Sequence, residues 1–182
     1  MHAKSLSLKE NFPFVLKETL KISLFVFLLA LSSRIRVYLP YSPVPVTFQT
    51  LVVYLSVIFI GRGAVYALFG YLMLGISGVP VFAAGEGFGY LLGPTGGYLA
   101  GFLLASMILA NILYLKKNIL WHFLCFCLAD AIILFMGSFW LSRITAVSMV
   151  EAASLGILPF IYGDCLKIAL AVLTTQIVKP RE

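Results

Sequence analysis

Six apolar segments make up most of this chain, and most of its charges lie outside them, in the terminal segments and the short connections. Of the 182 residues, 62% are apolar and 11% are charged, whereas globular proteins average about 45–50% and about 25%. A membrane-spanning helix needs about 20 apolar residues, so the length accommodates about six spans and no additional soluble domain. The sequence therefore predicts an all-α membrane protein, a six-transmembrane-helix bundle that forms a single integral membrane domain over residues 1–182.

The predicted spans follow the apolar segments in order. They cover approximately residues 21–39, 48–60, 64–76, 94–115, 119–141 and 157–178. Thr47 is predicted as the N-cap of the second span, and residues 142–155 as an interfacial segment. Residues 1–20 are predicted as a cytoplasmic or interfacial N-terminal segment. We interpret the first apolar run as a membrane helix and not as a signal peptide, because the basic region before it is long.

The distribution of basic residues predicts the orientation in the membrane. With six spans, both termini share one side, and that side holds nine basic residues: Lys4, Lys9, Lys17, Lys21, Arg62, Lys116, Lys117, Lys179 and Arg181. The other side holds three, namely Arg34, Arg36 and Arg143. Because basic residues favour the cytoplasmic side, both termini are predicted to be cytoplasmic and the loops 39–47 and 78–97 external. The scattered charge forms no basic stripe, so nucleic acid is not an expected partner.

A glycine-rich stretch, residues 75–102, interrupts the apolar pattern with nine glycines. Irregular backbone at membrane depth is tolerated only where it is buried in protein or lines a cavity, and glycine lets the backbone approach a ligand closely. The stretch is therefore either a ligand-binding loop between two helices or a surface hairpin without a ligand. Glu86 is its one charged residue, and Tyr98 would either stack on a ligand ring or pack against protein.

Asp164 and Lys167 lie within the last predicted span, three residues apart and so on one helix face. Charged side chains inside a span are costly and usually face the protein interior or a water-filled cavity. The pair is interpreted either as a binding site for a polar solute or as an ion pair that only stabilises the helix. Asp130 lies deeper, in the fifth predicted span. It is interpreted either as a neutral or hydrogen-bonded packing residue or as a substrate contact.

The chain carries no pattern typical of catalysis. It has no P-loop, no HExxH or GxSxG sequence, and no Ser/His/Asp set on one predicted side of the membrane. Its three cysteines, Cys125, Cys127 and Cys165, lie in apolar runs and are predicted to be buried free thiols and not a disulfide or zinc site. The sequence therefore predicts a protein that is not an enzyme and has no cofactor.

Three motifs resemble one family of membrane proteins. Residues 42–51, SPVPVTFQTL, resemble the SPVPVTLQTL signature of BioY, the biotin-specific substrate-capture (S) component of energy-coupling factor (ECF) transporters. Residues 93–99 resemble its GPTGGYL segment, and residues 158–167 its LPFxxGDxxK segment. The motifs occur in the family's order, and the similarity covers most of the chain from Pro40 onward.

The resemblance implies a six-helix S component in the bacterial inner membrane, multi-pass, that binds biotin externally. In the family, a coupling protein and two ABC ATPases on other chains power release into the cytoplasm, although some members are reported to act without them. The predicted substrate-binding residues are Gln49, Glu86, Gly97, Tyr98, Asp164 and Lys167. The resemblance implies that the family's own binding residues carry over at four of them: Gln49, Tyr98, Asp164 and Lys167. Two alternatives are a solo secondary carrier for another small carboxylate and an intramembrane enzyme acting on a lipid or quinone.

Overall fold

The computed structural model describes residues 2–178, with side chains described from residue 13 onward. The predicted basic C-terminal residues Lys179 and Arg181 lie outside this range. The described elements, in order, are α1 (His2–Arg34), β1 (Arg36–Val37), β2 (Val46–Thr47), α2 (Gln49–Ile60), α3 (Gly63–Ile76), α4 (Phe88–Leu91), α5 (Gly96–Ile112), α6 (Ile119–Thr145), α7 (Met149–Gly156) and α8 (Ile161–Ile177). The fold is thus predominantly helical, as predicted, with one small β-ribbon that was not predicted.

Helix α1 differs from the prediction at both ends. It was predicted to begin near residue 21, but it begins at His2 and continues through Pro13. Residues 2–12 are polar but rich in Ala, Leu, Lys and Glu, which favour the helix as strongly as apolar residues do. The helix also ends at Arg34, five residues before the predicted end at residue 39. It ends there because the following residues, Arg36–Val37, pair as a strand with β2.

The proline-rich connection after α1 forms an antiparallel ribbon of two residues per strand. Arg36 pairs with Thr47 and Val37 with Val46. The prolines between them exclude a helix and leave the β-branched Val46–Thr47 free to form a strand. Thr47 was predicted as the N-cap of the second span, but it belongs to β2, and α2 begins at Gln49. Its hydroxyl nevertheless accepts a hydrogen bond from the Gln49 backbone N–H at 3.3 Å.

The last predicted span is interrupted in the structure. Helices α7 and α8 meet at a bend of 59° across residues 157–160, where the sequence predicted continuous helix from residue 157. Pro159 lies in this turn, and proline disfavours helical backbone at itself and at the residue before it. Before the turn, α6 extends to Thr145, past its predicted end at residue 141.

Within residues 2–178, α6 is the one single helix that is long and apolar enough to cross a membrane. The α7–α8 pair meets the same criterion when it is counted as one bent segment, while α2, α3 and α5 are shorter apolar helices. The outer faces of the helices are nevertheless apolar: Leu128, Phe135 and Leu173 are examples of large side chains that are exposed. Such extensive apolar exposure is typical of a surface that contacts lipid or another protein.

Gly93, Gly97, Gly101 and Ala105 are spaced by four residues in the fourth predicted span, which predicts one small helix face for another helix or a ligand, and two of these glycines lie at a helix–helix contact. On α5, a Cβ at Gly97 would lie 2.3 Å from Cβ of Trp140 on α6. A Cβ at Gly101 would lie 3.0 Å from Cα of Ile133 on the same helix. Glycine at these positions lets α5 and α6 approach closely enough for their backbones to pack together. The helix begins at Gly96, two residues after the predicted start at Pro94.

The structure corrects one of the cysteine predictions. Cys125 is buried and Cys127 half-buried, but Cys165 on α8 is exposed. All three are free thiols, as predicted. The apolar run around Cys165 did not indicate its burial, because the buried face of α8 carries Asp164 and Lys167 and does not include Cys165.

Candidate functional site

A narrow cavity lies between α2, α5, α6 and α8, close to the bend before α8. It is lined by Val44, Pro45, Thr47, Gln49, Thr50, Ala83, Tyr90, Thr95, Tyr98, Leu99, Phe102, Ile133, Leu134, Phe160 and Asp164. The room available to the centres of water molecules is about 40 Å³, which corresponds to only a few waters. Most of these side chains are apolar, with a small number of polar groups among them, a composition typical of small-molecule sites.

Asp164 and Lys167 form a buried ion pair at this cavity. The Lys167 Nζ donates a hydrogen bond to the Asp164 Oδ1 at 2.7 Å, and the two side chains are 6% and 3% exposed. The pair forms because residues three apart share a face of α8, whose first turn contains Asp164. Asp164 lines the cavity, whereas Lys167 lies one turn further along the helix. The carboxylate keeps acceptor capacity and the ammonium keeps donors that a polar ligand could use.

Gln49 is the second polar group that the structure brings to the cavity. It is the first residue of α2 and is 4% exposed. Its amide nitrogen donates to the Tyr71 hydroxyl at 2.7 Å, and its carbonyl oxygen accepts from the Thr47 hydroxyl at 3.3 Å. The short ribbon before α2 places Thr47 and Gln49 together at the helix start, so the local fold presents an amide and a hydroxyl to the same cavity.

Tyr98 forms an aromatic wall of the cavity. Its ring stacks with that of Phe160, with 5.8 Å between centroids, and its hydroxyl donates to the Gly156 carbonyl at 2.7 Å. The ring fits because α6 has a glycine beside it: a Cβ at Gly137 would lie 2.2 Å from the Tyr98 Cε1. The Tyr98 hydroxyl is thus already hydrogen-bonded to the last residue of α7. The ring is therefore the part of Tyr98 that is suited to contact a ligand.

Three of the six sequence-predicted residues do not line the cavity: Glu86, Gly97 and Lys167, the last of which is bonded to the lining residue Asp164. Glu86 is exposed in the loop between α3 and α4. Gly97 lies on the far side of α5, where Trp140 and Met136 of α6 leave no space for a Cβ. The structure therefore brings Gln49, Tyr98 and Asp164 together at the cavity, with Lys167 bonded to Asp164. The binding roles of Glu86 and Gly97 stay predictions.

Asp130 is buried on α6 and is not among the residues that line the cavity. Its Oδ1 accepts a hydrogen bond from the Tyr54 hydroxyl at 2.9 Å, and both side chains are buried. It is close enough to Asp164 and Lys167 to interact with them electrostatically. Of the two interpretations that the sequence left open, this placement favours a hydrogen-bonded packing residue.

Several lining residues were not identified from the sequence. Thr50, Thr95 and Phe160 all belong to the three motifs, so their position in a motif was a signal that could have identified them. Ala83 lies outside the motifs, in the connection between α3 and α5. In the part of the chain that the structure describes, no three His, Cys, Asp or Glu side chains are grouped to hold a metal ion.

Comparisons with known proteins support the family resemblance that the three motifs indicated. A family model described as "BioY family" matches residues 3–181. The chain is 31% identical over 169 residues to the "Biotin transporter BioY" of Thermotoga maritima, covering 92% of this chain and 98% of that protein. It is 34% identical over 162 residues to the "Probable biotin transporter BioY" of Pyrococcus horikoshii, covering 88% and 94%.

A solved structure has the same fold. The crystal structure of the S-component for biotin from an ECF-type ABC transporter superposes with a TM-score of 0.84, covering 93% of this chain and 94% of that one. The two sequences are 20% identical over this match, so the likeness is evidence for the fold alone.

Proposed function

The chain belongs to the BioY family, and on this premise we propose that it is the substrate-capture (S) subunit of an ECF-type ABC transporter, working in biotin uptake. The relatives described as biotin transporters support the substrate, and the S-component fold supports the role. The observation that carries the proposal in this chain is the buried Asp164–Lys167 pair at the edge of a largely apolar cavity.

The chemistry of biotin suits the groups at the cavity. Biotin has two ureido N–H donors, a ureido carbonyl and a carboxylate, joined by an apolar bicycle and chain. The Asp164 carboxylate and the Gln49 amide oxygen are acceptors suited to the N–H donors. The Lys167 ammonium is suited to the ureido carbonyl or to the carboxylate of biotin. The rings of Tyr98 and Phe160 supply an apolar wall for the bicycle.

The proposed topology is a single integral membrane domain with six crossings and cytoplasmic termini. The crossings would be α1, α2, α3, α5, α6 and the bent α7–α8 segment. At 1.5 Å per residue, α2 is only about 18 Å long, so its ends would lie within the bilayer depth or the bilayer would be locally thinner. The loops 39–47 and 78–97 would be external, as the distribution of basic residues predicts.

Two hydrogen bonds, each between a connection and a helix distant from it in the sequence, support this topology. The Arg62 guanidinium at the α2–α3 turn donates to the Asn111 side chain near the end of α5 at 3.0 Å, so these two predicted cytoplasmic regions lie together. The Ser42 hydroxyl in the proline-rich loop donates to the Leu155 carbonyl of α7 at 2.7 Å. This second contact joins two segments that are both predicted to be external.

The proposed partners follow from the S-component role. The chain has no nucleotide-binding motif, so a coupling protein and two ABC ATPases on other chains would supply the energy for release into the cytoplasm. The lipid bilayer is the other expected partner, because the outer faces of the helices are apolar. Neither a cofactor nor a catalytic step is part of the proposal.

Binding of labelled biotin to the purified chain in detergent tests the proposal, with desthiobiotin and lipoate as competitors. The proposed function predicts saturable binding at one site, with effective competition by desthiobiotin, which keeps the ureido group. Lipoate, which has a carboxylate chain but no ureido group, should compete weakly. Equal competition by lipoate would favour a carrier for other carboxylates, and absence of biotin binding would contradict the proposal.

A further inference from the structure

The Tyr71 hydroxyl lies where the cavity, the α3–α4 connection and α1 meet. We propose that Tyr71 is a positioning residue with two roles: it fixes the orientation of the Gln49 amide, and it holds residues 81–83, here called the strap, closed beside the cavity. The inference rests on the proposed function for the identity of the ligand. The evidence for the two roles of Tyr71 is the set of hydrogen bonds and packing contacts that the strap makes.

The first role follows from the single proton of the Tyr71 hydroxyl. The Val81 carbonyl, 3.3 Å away, can only accept a hydrogen bond, so the Tyr71 hydroxyl donates to it. The hydroxyl must then accept from Gln49, whose amide nitrogen is 2.7 Å away. This arrangement commits one N–H of the Gln49 amide to Tyr71. The carbonyl oxygen accepts from Thr47 and keeps a second lone pair as the acceptor for a ligand N–H. Without the hydroxyl, the amide could rotate and present its nitrogen instead.

The second role follows from the contacts of the strap. The Val81 carbonyl also accepts from the Ser33 hydroxyl of α1 at 2.7 Å. The Phe82 ring packs edge-on against Tyr71, at 5.5 Å, and stacks on Tyr90, at 5.0 Å. Both Tyr90 and Ala83 line the cavity. The strap therefore connects the cavity wall to α1 and α3 through one shared carbonyl.

The packing of Phe82 shows how closely the strap is held. Its side chain is fully buried, and a Cβ at Gly75 of α3 would lie 2.0 Å from its Cζ. By contrast, Glu86, Phe88 and Gly89, which follow in the same connection, are exposed. The strap is thus the anchored part of the α3–α4 connection, and its two side-chain hydrogen bonds are the bonds that must break for it to lift.

The size of the cavity makes lifting of the strap relevant to binding. A space that admits only a few waters cannot accept a bicyclic ligand unless part of its wall moves. The Ser33 hydroxyl also lies 2.7 Å from the Ala30 carbonyl of its own helix, so it keeps an acceptor when the strap lifts. Among the described residues, the Tyr71 hydroxyl has no hydrogen bond to a second backbone carbonyl. We therefore expect the Tyr71–Val81 bond to be the one that affects the rate of ligand exchange.

The test uses Tyr71→Phe, which keeps the ring that packs on Phe82 and removes only the hydroxyl. Two quantities are measured on the full chain in detergent: deuterium exchange of the peptide covering residues 78–87 without ligand, and the dissociation rate of labelled biotin. The matched control is Tyr114→Phe, because the Tyr114 hydroxyl also donates to a backbone carbonyl, that of Ile58 at 3.2 Å, away from the cavity. Loss of one neutral hydrogen bond is worth about 0.5–1.5 kcal/mol, or up to roughly tenfold in each rate.

The inference predicts that Tyr71→Phe increases both the strap exchange and the biotin dissociation rate by about three- to tenfold, by the same conversion. Tyr114→Phe should change neither. Tyr71→Phe should also reduce the preference for biotin over an analogue methylated at the ureido nitrogens, because the Gln49 amide is free to rotate. Faster exchange without faster dissociation, or no change in either, would overturn the inference. If the parent protein binds no biotin but Tyr71→Phe still loosens the strap, the positioning of the strap stands and the proposed function fails.

Discussion

The Lys167 ammonium lies 2.7 Å from the Asp164 carboxylate, and both side chains are almost fully excluded from solvent. Removing two charges from water is expensive, and their mutual attraction often does no more than offset that cost. A protein that needed only stability at this position could use apolar side chains of similar volume. A buried pair beside a cavity is instead suited to exchange some of its hydrogen bonds for those of a polar ligand.

The first prediction separates the structural contribution of this pair from its function. Lys167→Met leaves the Asp164 carboxylate buried without its partner and should destabilise the protein by about 3–5 kcal/mol. The double variant Asp164→Asn with Lys167→Met removes both charges and should recover much of that loss. Thermal unfolding in detergent, followed by tryptophan fluorescence, measures both effects.

Biotin binding by the double variant completes this test. We expect it to be well folded and to bind biotin much more weakly than the parent protein. A double variant that recovers stability and also keeps parental affinity would identify the pair as purely structural.

The second prediction concerns Gly97, which the sequence identified as a binding residue. Gly97→Ala places a Cβ 2.3 Å from that of Trp140, so it should destabilise the α5–α6 contact by about 1–3 kcal/mol through overpacking. The control is Gly163→Ala on α8, where a Cβ would meet nothing within 4 Å. A lower unfolding temperature is expected for Gly97→Ala alone, with biotin affinity of the folded fraction unchanged. Unchanged stability with weaker binding would make Gly97 a ligand contact instead.

The third prediction concerns topology. Single cysteines at Ser5 and Glu86, in a background without the native cysteines, should be labelled from opposite sides of the membrane by an impermeant thiol reagent. The reason is the excess of basic residues on the side predicted to be cytoplasmic. Labelling of both positions from one side in intact cells would contradict the proposed arrangement of six crossings.

Much of the fold was predictable because it depends on local patterns. The structure gives α3 as Gly63–Ile76 and α6 from Ile119, each within one residue of the predicted start. Periodic apolar runs bounded by a Gly-Arg-Gly turn or a Lys-Lys-Asn turn determine such elements without reference to the rest of the chain. The glycine row on α5 was predictable for the same reason, because its spacing of four residues identifies one helix face.

The remaining features depend on contacts between segments distant in the sequence. The β-ribbon requires Arg36 to meet Thr47 across a proline-rich loop, and no local pattern predicts such a pairing. The role of Tyr71 depends on the strap ten residues further on, and a tyrosine in an apolar helix is indistinguishable in sequence from any packing residue. The sequence suggested Glu86 because it is the one charge in its loop, whereas only the folded chain reveals that its side chain is exposed.

Calorimetric titration of biotin into purified, monodisperse protein measures whether biotin binds at the cavity beside the Asp164–Lys167 pair. Losing one partner of a desolvated charged hydrogen bond costs about 2–5 kcal/mol. Asp164→Asn and Lys167→Ala should therefore each weaken binding by roughly 30-fold or more in samples that remain folded. Glu151→Gln, on the exposed face of α7, should bind as the parent does. Parental affinity in both well-folded Asp164 and Lys167 variants would contradict the account.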